Sequence, residues 1–231
     1  MSAEKPADVA SQCLAVVAAD LHFDGYVSRA RGRRLVKRDG DFIFEIAFQS
    51  DRNNIAGRRV VVWTHAIAGS LKLRRWLTEN GTPWGRLPSY SGNFAGGQIG
   101  NLRLPWAWME WDFADPTSRD AAVRDLIADI RQIVIPFFAT FTNPASVMSS
   151  FDQADLLTPT PAIEYAYAHF GREGADRVAK MVLARNPGLL APFLAAVALY
   201  RTEGILKARD GRVSSDLAAM TVFLGLDPAG S

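Results

Sequence analysis

The chain has 231 residues, 48% of them hydrophobic, 22% charged and 10% aromatic, with a formal net charge of +2. This describes one large globular domain or two small ones and excludes a disordered or fibrous chain. No apolar run approaches the roughly 20 residues of a membrane span. One cysteine cannot form an internal disulfide or a multi-cysteine zinc site, so a cytoplasmic location and no membrane partner are expected.

The N-terminus lacks the basic start and apolar core of a secretory signal, so secretion is not expected. Val9, Cys13, Val16 and Val17 fall at i, i+4, i+7 and i+8, which predicts a short amphipathic helix with Pro6 in its first turn. Cys13 lies on the apolar face and reads as a buried structural thiol. From residue 23 to 67 the period becomes two. Phe42, Phe44, Ile46 and Phe48 mark one face of a strand, and Ile43, Glu45, Ala47 and Gln49 the other. Arg33–Arg38 predicts a preceding strand, joined to it by an Asp39-Gly40 hairpin turn. After a polar loop at 50–57, Arg58–Ala66 predicts a third strand. Such a meander needs a helix against its apolar face, and the N-terminal helix is the nearest candidate.

The small net charge conceals a basic segment. Residues 21–76 hold twelve Lys or Arg against five Asp or Glu, while the flanks are mildly acidic. Arg29, Arg31, Arg33, Arg34, Lys37 and Arg38 are its densest part. Such a ribbon protects and solubilises a strand edge, docks an acidic partner protein, or neutralises nucleic-acid phosphates. No RNA-recognition aromatic signature or zinc knuckle accompanies it.

Ser70 predicts the cap of a helix through Leu77 that stops at Asn80-Gly81, followed by a long irregular loop over Gly81–Gly100. The glycines at 92–100 lack the Gly-Lys-Ser/Thr ending of a phosphate loop. Leu102–Phe113 is expected to be a strand, with Trp106 and Trp108 facing opposite Met109 and Trp111, and with Pro105 marking an edge or bulge. Six tryptophans are many for this length. Their alternation favours core packing; Trp84, Trp106 and Trp108 are the candidates for a partner-binding surface.

Asp115-Pro116 is expected to start a helix carrying Val123, Leu126, Ile127, Ile130, Ile133 and Val134, ended or kinked by Pro136. Further helices are predicted from Asn143-Pro144, from Thr160-Pro161, over Glu173–Arg185, near Leu190–Tyr200, and from Ser215 to Gly225, with a turn at Asp210-Gly211. One partial tetratricopeptide-like helix without a second copy does not make a repeat array. The expected architecture is α+β: an antiparallel meander packed against helices in residues 1–142, then an all-helical domain in 143–231.

Catalytic patterns are sparse. His22, His65 and His169 belong to no metal-ligand spacing, so no metal and no cofactor is expected. A restriction-type nuclease would follow an acid with Glu-x-Lys, whereas this chain has Glu45-Ile46-Ala47. Glu45 and Gln49 on one strand, and Glu110 and Asp112 at i and i+2 on another, are the residues that a sheet-borne hydrolase or nuclease would use.

Phe23-Asp24-Gly25-Tyr26 after an N-terminal helix, the arginine-rich strand, Phe42-x-Phe44-x-Ile46-Ala47-Phe48-Gln49-Ser50, a strand reaching Trp63, and Leu71-x-x-x-Arg75-Trp76 together resemble the bacterial family known as domain of unknown function 4304. The resemblance covers about residues 7–140 and leaves the helical tail aside. It implies a small cytoplasmic bacterial α+β protein without an established catalytic motif. The expected function is therefore a non-enzymatic protein-interaction module with an acidic partner, immunity-protein-like by analogy alone. Nucleic-acid binding through residues 29–38 and carboxylate-based hydrolysis are the alternatives.

Overall fold

The computed structural model describes residues 4–85, 92–152, 159–205 and 211–228. The fold is α+β, an antiparallel sheet of six strands with helices and a helical C-terminal region. The chain gathers into two compact units, Met1–Ala68 with Gly96–Thr140, and Gly69–Ala95 with Phe141–Ser231. Residues 69–95 therefore cluster with the helical tail. No single described helix is long and apolar enough to cross a membrane.

In the first unit, α1 (Pro6–Leu21) buries Val9, Ala10, Cys13, Leu14, Val17 and Leu21. Val16, expected on that face, is 56% exposed, because the stripe turns through Leu14 and Leu21 instead. Strands β1 (Val27–Arg29), β2 (Arg34–Asp39), β3 (Phe42–Ser50) and β4 (Val61–Ser70) follow. They lie in the order β1-β2-β3-β4, then β5 (Asn93–Gln98), while β6 (Trp111–Asp112) pairs with β4. The sequence pattern missed β1, whose three residues are all exposed and show no apolar alternation. It also missed β5, inside the glycine-rich stretch expected to be a loop; residues 86–91 of that stretch lie outside the described residues.

The β2–β3 hairpin has the predicted turn, with Gly40 at φ 56°. Its register sets Leu35 against Ile46, Val36 against Glu45 and Arg34 against Ala47. Leu35, Phe42, Phe44, Ile46 and Phe48 are thereby buried on one face, and Arg34, Val36, Arg38, Glu45 and Ala47 share the other.

The next helix differs from expectation at both ends. Asp115 accepts the Thr117 amide and hydroxyl (2.9 and 2.8 Å), which closes a local turn and delays α3 to Arg119–Asp129. Pro136 does not end the helix. A π-helical turn, Ile130–Val134, widens the hydrogen-bond pattern where proline lacks its amide, and the helix continues as α4 (Ile135–Ala139). Phe138 stacks on Phe44 with centroids 4.8 Å apart, so this helix, together with α1 packed on α3, closes the core. Arg131 reaches Asp20 (2.7 Å) and Asp24 (3.0 Å), tying α3–α4 to the end of α1.

The second unit contains α2 (Leu71–Asn80), α5 (Pro144–Phe151), α6 (Thr160–Arg185), α7 (Leu190–Glu203) and α8 (Val213–Leu224). Ser70 caps α2 as predicted, its hydroxyl accepting the Leu73 amide at 3.0 Å. Asn143 and Ser146 form a reciprocal capping box on α5. The helices expected from Thr160 and over 173–185 join as α6, broken at Gly171 (φ 67°). The last helix starts at Val213, ahead of Ser215, which is buried, and ends at left-handed Gly225. The expected turn at Asp210-Gly211 falls partly outside the described residues. Phe94, Phe141, Phe151 and Tyr165 form this unit's aromatic core, with ring centroids 4.6–6.4 Å apart.

The packing predicts a contrast. Phe138→Ala removes a ring that is 4% exposed and lowers unfolding stability by about 3–5 kcal/mol, whereas Val16→Ala changes it by less than about 0.5 kcal/mol. Urea unfolding of the two variants checks this; equal losses would contradict the placement of the core.

Candidate functional site

Two features of the first unit stand apart from its packing. The first is the basic ribbon. Its register sets Arg29 directly opposite Arg34, a like-charge cross-strand pair of the kind that destabilises a sheet. The turn between β1 and β2 runs through Ala30 (φ 50°), Arg31 (φ 56°) and Gly32 (φ 83°). Two non-glycine residues in the left-handed region cost about 1–2 kcal/mol each. Arg29, Arg31, Arg33, Arg34 and Arg38 are all exposed. Arg34 lies 3.5 Å from Glu45, and the other four have no ion pair among the described residues. Lys37 behaves differently. It is half-buried, donates to the Asp24 carbonyl at 3.1 Å and lies 5.9 Å over the Tyr26 ring, so it braces the hairpin through neutral groups.

The second feature is the stretch expected to be the strand Leu102–Phe113. Only Trp111–Asp112 is strand, pairing Val62 with Trp111 and Val61 with Asp112. Residues 103–110 are irregular, since Pro105 has no amide to give a ladder and a side chain supplies the order instead. Gln98 is 3% exposed; its amide donates to the Met109 carbonyl and its oxygen accepts the Gly100 amide at 2.8 Å. The Gly100 carbonyl accepts the Ala107 amide at 3.2 Å, and a Cβ at position 100 would collide with the Ala107 carbonyl. This clamp presents Leu104, Trp106 and Trp108 at 82%, 64% and 57% exposure. The core reading of the tryptophans therefore fails for Trp106 and Trp108 and holds for Trp111. Trp108 meets Trp63 edge-on at 5.4 Å. Trp84 belongs to the second unit, half-buried on the Thr82–Gly85 turn.

The carboxylates do not form an acid pair. Asp112 accepts the Val60 and Ala114 amides on one oxygen (2.8 and 2.9 Å), a structural role that anchors β6. Glu110 accepts the Trp63 indole N–H at 3.4 Å and lies 3.7 Å from Arg59, which Asp51 holds at 2.9 Å. Glu45 faces Arg34, and Gln49 is exposed near the end of β3. Among the described residues, no group of three or more His, Cys, Asp or Glu is arranged to hold a metal ion. Burial pushes the Cys13 thiol up, away from thiolate reactivity, and holds the His65 imidazole below its ordinary range.

One contact was invisible in the sequence. In the second unit the Ser70 hydroxyl lies 3.0 Å from His169 Nε2, 99 residues away, and His169 stacks on Tyr165 at 4.2 Å. Ser70 is fully buried and already caps α2, so the pair joins α2 to α6 and offers no accessible nucleophile.

Comparison of the chain with protein families, curated proteins and solved structures found no match.

The clamp makes a prediction. Gln98→Leu leaves the Met109 carbonyl and the Gly100 amide unpaired, at about 1–3 kcal/mol, and accelerates amide exchange across residues 100–109 relative to β3. Hydrogen–deuterium exchange reads this directly, and unchanged protection there would contradict the clamp.

Proposed function

We propose that the chain is a non-enzymatic protein-interaction module that docks an acidic protein surface through the arginines of the β1–β2 hairpin. One observation carries the reading: Arg29 and Arg34 are held opposite each other beside a left-handed turn that exposes Arg31. This arrangement costs stability in the isolated chain, and an anionic partner relieves the repulsion. Guanidinium groups suit that task, since each presents several N–H donors in a planar fork that matches a carboxylate. The catalytic alternative is weakened because Asp112 is committed to two backbone amides and Glu110 to Trp63 and Arg59.

Phosphates share the chemistry of carboxylates here, so nucleic acid is the reading to test against. Fluorescence anisotropy with a labelled polyglutamate peptide and a labelled DNA duplex distinguishes the two. The wild-type chain binds the peptide, and Arg31→Glu with Arg33→Glu and Arg34→Glu weakens that binding at least tenfold. Duplex binding by the same arginines, falling about 100- to 1,000-fold between 50 and 200 mM salt with no peptide binding, would overturn the protein-partner reading.

A further inference from the structure

The first unit also carries the opposite charge. An open groove of about 580 Å³ lies between residues 108–112 and α3. From α3 it is lined by Ala122, Asp125 and Asp129, whose three- and four-residue spacing puts them on one helix face. Trp108, Glu110 and Asp112 line the other wall. No lysine or arginine lines it among the described residues, and neither Asp125 nor Asp129 has an ion pair among them. Burial raises Asp129 above the usual carboxylate range, opposed by the Trp111 side chain donating to it and by Arg103, while the neighbouring charge of Asp125 raises it further. Negative charge is thus crowded beside an indole that is 57% exposed. A guanidinium satisfies both walls, with its planar face against the indole and its N–H groups on the carboxylates.

We propose that the acidic surface docked by the basic hairpin is this groove on a second copy of the chain. The inference rests on the docking role given above to the hairpin and names its partner. Charge complementarity selects the occupant, because the chain carries exposed arginines at Arg29, Arg31, Arg33 and Arg38 with no ion pair among the described residues, and here an aromatic-walled groove whose α3 carboxylates, Asp125 and Asp129, have no ion pair among them either, Arg59 reaching only Glu110 on the other wall. The β1–β2 tip is two strands across, so Arg31 at its end enters a groove that a broad surface does not. The contact is heterologous, hairpin of one copy to groove of the next, and therefore builds rings or open chains and not a two-fold dimer.

Sedimentation velocity on the full chain tests this. At about 100 μM protein and 50 mM salt the wild type sediments as species larger than a monomer, and 500 mM salt returns it to monomer, as screening requires. Arg31→Ala/Arg33→Ala removes the charges at the hairpin's tip, and Asp125→Asn/Asp129→Asn neutralises the α3 wall of the groove without creating a new complementary pair. Each variant alone is monomeric, with association weakened at least tenfold. Mixed together they form a one-to-one heterodimer and nothing larger, since one intact hairpin then meets one intact groove. That species also shows that both variants are folded. A wild type that remains monomeric at low salt overturns the inference. If that monomer still binds polyglutamate through the hairpin, the docking role stands without it. Binding of a lysine-rich peptide in the groove by a chain that does not self-associate would assign the groove to a different basic partner and equally overturn it.

Discussion

The pairing of β2 with β3 is the constraint on which the rest of the first unit depends. Side chains alternate along a strand, so a slip of one residue would exchange the two faces. The observed pairing buries Leu35, Phe44, Ile46 and Phe48 and turns Arg34, Arg38 and Glu45 outward. Phe44 is thereby presented to Phe138, which brings in the α3–α4 helix, and the packing of α1 on α3 completes the core. The same pairing places Arg34 opposite Arg29 once β1 adds to the edge. Core and charged ribbon are two consequences of one register.

Around this rigid frame the chain stores order in single side chains. Gln98 holds residues 100–109 in an irregular path by serving one donor and one acceptor, and Asp112 anchors β6 through two amides. A buried polar group used in this way is costly to lose, because its partners have no water to turn to. The exposed tryptophans and the groove beside α3 exist because those clamps replace a ladder that Pro105 cannot join.

Much of the fold was legible in the sequence, for local reasons. The Asp39-Gly40 turn, the alternation of β3, the Ser70 and Asn143 caps and the Gly225 stop are all encoded within a few residues. What was not legible depended on local competition in some places and on distant partners in others. Pro136 reads as a stop or a kink, and a π turn lets the helix continue past it; Asp115 reads as a cap until Thr117 claims its carboxylate. Trp106 and Trp108 alternate as a strand would, yet Gln98 holds that stretch off the sheet. The same limit applies to the site. The arginines of the ribbon were visible as a charge run, but their cross-strand opposition needed β1. Asp125 and Asp129 sit between the apolar positions of the α3 sequence, and nothing local shows Trp108 across from them. Lys37, counted with the ribbon, proved to be a brace.

The register itself can be measured. With the Arg33 carbonyl accepting the Phe48 amide at 2.9 Å, the intervening pairs are the close ones, with Cα atoms about 4.5 Å apart. In solution, nuclear Overhauser contacts between the Cα protons of Val36 and Glu45, and of Arg34 and Ala47, are the predicted result. Contacts of Val36 with Phe44 or Ile46 in their place would mean a slipped hairpin with Arg34 turned toward the core, and would contradict the account from the sheet upward.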